Sequence, residues 1–345
     1  MKYTRTIIFT ALLFFICLAV SMIWYRYTIT EKNIPAQVLS PYRLSGTEET
    51  RPSLVNPRVD GVVLAENYLE PNSLGISVQV EGEFRFYPLQ ILGWHSVVND
   101  TIGTRDIAVL YLPEVASFAV YDRGTRTFFN ASKTWQGIPV ITDETKVNEV
   151  EALTGSWLRG SDKTPLVRIP ASLSRFEDWQ SFHSNGLVLS RYTKFDFDYA
   201  INPFIEADFK TAYLPGRLND LDNLPLMQKV IAFGDSQKPT VLTASDIRYA
   251  GLWQGVVNGV PIVAWYNQTT DSIETFRAVD SAGNTLTFLL KNDEIQDKST
   301  GSVWRTDGVA ATRPMAPYAL PRVSNVPALW GALKAVYPEV DRIYP

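Results

Sequence analysis

The chain has 345 residues, 46% hydrophobic and 20% charged, a balance that supports a large buried core and excludes a disordered chain. That length fits two domains or one large one. The formal net charge is −4, and no basic stripe interleaved with aromatics occurs, so nucleic acid is excluded as a partner.

The first predicted element is a membrane span. Residues 7–25, IIFTALLFFICLAVSMIWY, carry no charge. As a helix they would reach roughly 27 to 30 Å at about 1.5 Å per residue. Lys2 and Arg5 precede the run without an acid, which places residues 1–6 in the cytoplasm by the positive-inside tendency. Trp24, Tyr25 and Tyr27 form an interfacial belt. The competing reading is a cleaved signal peptide with Ala19 and Ser21 before the cut, against which the apolar run continues through Met22 to Tyr25. Either reading exports the bulk of the chain to the periplasmic or extracellular side. The expected location is the cell membrane, single-pass, with the membrane itself as the one identifiable partner. The sequence leaves any protein or small-molecule partner unknown.

Residues 26–56 contain Pro35, Pro41 and Pro52 without apolar periodicity and read as a tether. GISVQVEG then alternates as a strand, with Ile76, Val78 and Val80 on one face, and a turn leads into FRFYP. Pro88 suits the first turn of a helix predicted over LQILGWHSVVND, residues 89–100. Two short strands follow, DIAVLYL and SFAVYDR.

The expected fold class is α+β, built as two tandem related β-rich units with short helices, 57–224 and 225–345. GTRDIAVLY, ending at Tyr111, resembles NGVPIVAWY, ending at Tyr266. TGSW at Thr154 to Trp157 resembles TGSVW at Thr300 to Trp304. Pro170 precedes Trp179 by the same spacing as Pro321 precedes Trp330, each Trp in an expected helix near the end of its unit.

Few groups carry chemistry. The only cysteine, Cys17, lies inside the apolar run, so the exported part has no thiol for a disulfide, a zinc cluster or a nucleophile. His95 is the leading candidate, in GWHSVVND beside Asn99 and Asp100, as a base or ligand. On the predicted helix, Ile91 and Val98 would share its face, the setting of a core histidine with satisfied nitrogens. His183, in FHSNG, is expected at a helix C-terminus, where its charge is favourable. Two distant histidines predict no transition-metal site, and no motif predicts a bound cofactor.

Asp196 and Asp198 alternate in KFDFDYAINPF, with Asp220 and Asp222 beyond, as solvated turn acids or as a calcium or acid–base group. Asp122 and Arg123 are expected to pair at a strand end. Neither a phosphate-cradling loop, a dinucleotide fingerprint nor a G-x-S-x-G elbow occurs.

The stretch FRFYPLQILGWHSVVNDTIGTRDIAVLYLPEVASFAVYDR resembles the bacterial and archaeal domain of unknown function 3179 family. The likeness continues through TGSWLRG, PASLSRFEDWQSFH, DFDYAINPF and TGSVW with Trp330. It implies an uncharacterised, often exported or membrane-tethered protein, and His95, Asn99 and Asp100 match the family pattern. Where many members carry cysteine in the turn after the strand, this chain has Leu112 and Val115 around Pro113, so a thiol or metal role of that turn would be absent. The leading expectation is a non-catalytic extracytoplasmic binding or accessory module. The rival is a hydrolase or lyase using His95 and Asp100 in a cleft between the two units.

Overall fold

The computed structural model describes residues 51–160, 164–201, 203–204, 224–234, 239–337 and 340. The expected membrane span, most of the tether, and Asp220 and Asp222 lie outside the described residues. Among the described residues no helix is long and apolar enough to cross a membrane. Val38–Pro345 belongs to one compact unit. Its fold is α+β and mostly β, with several sheets and a few short helices.

The chain opens with β1 (Leu54–Val55), β2 (Val59–Gly61) and helix α1 (Val62–Ala65). The alternating GISVQV stretch forms β3 (Leu74–Val80), and FRFYP falls in β4 (Glu83–Pro88). Helix α2 (Leu89–Leu92) is only one turn long, and β5 (Val98–Ile102) follows. Next come β6 (Arg105–Leu112), a tight turn at Pro113–Val115, and β7 (Ser117–Asp122). A meander of β8 (Phe128–Trp135), β9 (Ile138–Asp143), β10 (Glu149–Glu151) and β11 (Trp157–Arg159) leads to β12 (Val167–Arg168). Strand β13 (Ala171–Arg175), helix α3 (Phe176–Phe182) and β14 (Leu187–Leu189) end this half.

The helix predicted over residues 89–100 is therefore corrected: it stops at Leu92, and Val98–Ile102 is a strand. Register explains this, because β5 pairs along its length with β6 from Val98↔Val109 to Ile102↔Arg105. Gly103, at φ +58°, makes the left-handed turn that closes this hairpin. Ile91 and Val98 are both fully buried, but on different elements. Their helical spacing is a coincidence of two adjoining buried segments.

Strands β5, β6 and β7 form the centre of one sheet, and both faces of β6 are covered. Ile107 and Val109 point into a core shared with Ile76, Val78 and Val80 of β3. Ala108 and Leu110 point the other way, against Phe128, Ile138 and Val150 of the meander. The β3–β4 sheet is covered on its outer side by α3, where Phe176 and Trp179 pack on Phe86.

The second half runs through β15 (Lys229–Gly234), β16 (Pro239–Thr243), helix α4 (Ala244–Ala250), β17 (Leu252–Val257), β18 (Val260–Asn267) and β19 (Ser272–Arg277). It ends with β20 (Phe288–Lys291), β21 (Glu294–Asp297), β22 (Val303–Trp304), β23 (Asn325–Leu329) and helix α5 (Trp330–Val336). Strand β18 is again covered on both faces, with Ile262 and Ala264 packed on the β15–β16 sheet and Val263 and Trp265 on Phe288 and Trp304. In each half the strand preceding the last helix pairs antiparallel with the half's first long strand, β13 with β3 and β23 with β15. Val326 and Ala328 of β23 also pack into the core behind β6, so the last of the described strands joins the two halves.

The two Thr-Gly-Ser turns share a hydrogen-bond pattern. Glu151 N–H donates to Ser156 O and Asp297 N–H to Ser302 O, while Gly155 and Gly301, both at positive φ, donate to Glu151 O and Asp297 O. The acid's side chain accepts the threonine N–H in both, at 2.8 Å from Thr154 and 2.7 Å from Thr300.

Trp179 and Trp330 each lie in a terminal helix and are 2% exposed. They are not positional equivalents, since α3 begins at Phe176 and α5 at Trp330. Trp→Ala at either position removes a large ring from a packed core and should cost about 3 to 5 kcal/mol. Denaturant unfolding followed by far-UV circular dichroism measures it, and near-neutral shifts at both positions would refute the packing described.

Candidate functional site

His95 sits in the turn after α2, where its N–H donates to Leu92 O at 3.1 Å. The residue is fully buried. Its ring lies 5.5 to 5.8 Å from the rings of Phe195, Phe197 and Tyr199, the inward side chains of an alternating segment. Asp196 and Asp198 of that segment point out to solvent, and Asp198 accepts from Ala200 N–H as a turn acid does. Nδ1 of His95 lies 2.9 Å from Pro52 O, and Nε2 lies 2.7 Å from the Tyr199 hydroxyl. A carbonyl only accepts, so Nδ1 carries the proton, and the neutral ring accepts from Tyr199. Burial pushes His95 down to about 4; the Pro52 bond works against that, and nearby Arg51 adds to it.

Asn99 and Asp100, next along β5, are held by different partners. The Asn99 amide donates to Leu54 O and Phe128 O and accepts from Phe128 N–H, tying β5 to β1 and β8. Asp100 accepts from Arg85 at 2.7 Å, from the Tyr87 hydroxyl at 2.7 Å and from Thr101 N–H at 2.8 Å. Arg85 and Tyr87 belong to β4, so this buried ion pair bridges two facing sheets. His95 contacts an aromatic shell while Asp100 serves an inter-sheet clamp, and neither presents a free oxygen or nitrogen to a substrate.

Arg51, which falls in the expected tether, is a structural centre that sequence reasoning missed. Its guanidinium donates to Leu92 O at 2.7 Å, His95 O at 2.9 Å and Tyr111 O at 3.3 Å, satisfying the carbonyls at the end of α2. Glu114, in the turn after β6, lies 3.7 Å from it. Burial pushes the Glu114 carboxyl up, with Arg51 pulling it down. The expected Asp122–Arg123 pair is replaced by two cross-strand pairs, Arg105–Asp122 at 3.1 Å and Arg123–Asp106 at 3.4 Å. Successive strand residues face opposite sides, which separates neighbours and joins opposed strands.

An open cavity lies elsewhere, between the two halves, with a volume of about 920 Å³. One wall is the outer face of β3 and β13, with Ser77, Gln79 and Ser172; the other carries Glu274, Arg305, Asp307 and Arg322. Arg322 holds Glu274 at 2.5 Å, and Arg305 pairs with Asp307. His183, at the end of α3 as expected, lines this cleft and stacks on Phe84 at 3.9 Å. Burial lowers its pKa, opposed by Asp307. Among the described residues no cluster of three or more His, Cys, Asp or Glu side chains is placed to hold a metal ion.

Comparison with known families adds one finding. The family model described as "Protein of unknown function (DUF3179)" matches residues 49–340. The chain belongs to this family. Neither a curated protein nor a solved structure matches it. The match begins just before Arg51, so within the DUF3179 region lie both Arg51 and the tight turn that carries Glu114. In that turn Leu112 and Val115 are buried in the core behind β6.

The environment of His95 makes stability depend on pH. The unfolded ring titrates near 6.5 and the folded one near 4, so the unfolded state binds more protons between these values. The stabilising difference is complete above pH 6.5 and is lost on acidification toward pH 4, a loss on the order of 3 kcal/mol. Urea unfolding across this range should show it in the native protein and not in His95→Asn. An identical slope in both proteins would contradict the neutral, buried ring.

Proposed function

We propose that this DUF3179 protein is a membrane-anchored extracytoplasmic binding or accessory module without catalysis of its own. Its two halves, 57–224 and 225–345, are tandem related units, and its ligand occupies the cleft between them. The uncharged run Ile7 to Tyr25 behind Lys2 and Arg5 supports the anchor and its orientation. The relation between halves is supported by three features: their shared strand pairing, the both-faces burial of β6 and β18, and the matched Thr-Gly-Ser turns.

The observation that carries the binding reading is the cleft itself, an open cavity of about 920 Å³ lined by both polar and apolar side chains, within the size range of ligand sites. The hydrolase or lyase reading loses its support, because His95 and Asp100 are buried away from that cleft with separate partners.

Two measurements test this. A reporter active only outside the cytoplasm, fused after Pro345, should be active in membrane-bound full-length protein; a silent reporter refutes the orientation. A photo-crosslinking residue replacing Ser174, in the cleft, should capture a discrete adduct in cells, and one replacing the exposed Tyr249 should not. No adduct from the cleft position would refute the binding reading.

A further inference from the structure

The charge and hydrogen-bonding state of the cleft narrows its ligand. Several of its ionic groups are already neutralised in pairs, Glu274 with Arg322 and Arg305 with Asp307, and Asp178 is held by Arg175 at 2.9 Å. Asp293 and Glu294, both exposed, also line the cleft, so an anionic ligand meets like charge there. On the β3 and β13 wall the uncommitted groups are neutral. Among the described residues, Ser77, Gln79 and Ser172 make no side-chain hydrogen bond within the protein, although Ser172 is only 7% exposed. Strand alternation explains their placement: Ile76 and Val78 fill the core, and Ser77 and Gln79 must face the cleft.

Beside this polar floor stands an aromatic edge. Phe182 is 52% exposed at the end of α3, with the Arg305 guanidinium against its ring, and the stacked Phe84–His183 pair lies next to it. A large exposed aromatic beside hydroxyl and amide groups in a concave site suits a ligand with an apolar face and many neutral hydroxyls. Sugar rings have that character: their C–H faces pack on aromatic rings and their hydroxyls both donate and accept. We infer that the cleft takes a neutral oligosaccharide, with one sugar ring on Phe182 and its hydroxyls on Gln79, Ser77 and Ser172. The inference rests on the cleft being a ligand site and adds the class of ligand.

Calorimetric titration of the purified full chain with N-acetylglucosamine hexasaccharide and with cellohexaose, alongside hexagalacturonate as the acidic counterpart, tests it. At least one neutral hexasaccharide should bind saturably, and more tightly than hexagalacturonate. Phe182→Ala and Gln79→Ala should each weaken that binding by about tenfold or more, with unfolding midpoints unchanged, while Tyr249→Ala leaves it intact. The inference is overturned if neither neutral sugar binds, if hexagalacturonate binds as tightly, or if binding is indifferent to both cleft substitutions. Should a cleft crosslink form in cells while both neutral sugars fail, the ligand class falls and the binding reading stands; failure of both removes the site altogether.

Discussion

The central four residues of strands β6 and β18 have no solvent face. Each side chain of Ile107, Ala108, Val109 and Leu110 is fully buried, and Ile262 through Trp265 are buried in the same way. A strand of this kind must be covered by a layer on either side, because an apolar face left in water forfeits the gain that folds the chain. The other sheets satisfy that demand: the β3–β4 sheet and the meander enclose β6, and the β15–β16 sheet and the β20–β22 hairpins enclose β18. A four-layer arrangement in the first half follows, since the sheet covering β6 has an outer face of its own that α3 and the cleft divide between them.

Polar groups inside these layers act as cross-links. Asp100 with Arg85 and Tyr87, Asn99 with Phe128, and Arg51 with the carbonyls of α2 each satisfy buried donors and acceptors that belong to different elements. Removing one member of such a set leaves its partners unpaired in a low-dielectric interior, at a cost of about 1 to 3 kcal/mol for each neutral group. Asp100, Asn99 and Arg51 thus each have a role in holding the fold together.

Strand β3 is legible because period-two alternation is a local signal, whereas β6 and β7 show as short, continuous apolar runs. The helix over residues 89–100 was misread because a strand buried on both faces has no alternation, so Val98 with Ile91 mimicked a helical stripe. Arg51 was missed for the opposite reason: its Pro-containing neighbourhood has no period, and its role appears only through carbonyls more than forty residues away. His183 was placed correctly at the end of a helix, yet nothing local ties it to Arg305, Asp307 and Arg322, which the fold brings to the same cleft. Such a site is a property of packing between halves and leaves no motif.

The bonds of Arg51 also bear on how the β1 edge of the fold resists mechanical load. Arg51 lies just before β1, which runs parallel to β5. The guanidinium grips carbonyls from α2, from the turn at His95 and from β6, so the pull is distributed over three segments at once. Peeling β1 away from β5 therefore requires breaking these bonds together, and this edge of the sheet behaves as a reinforced joint.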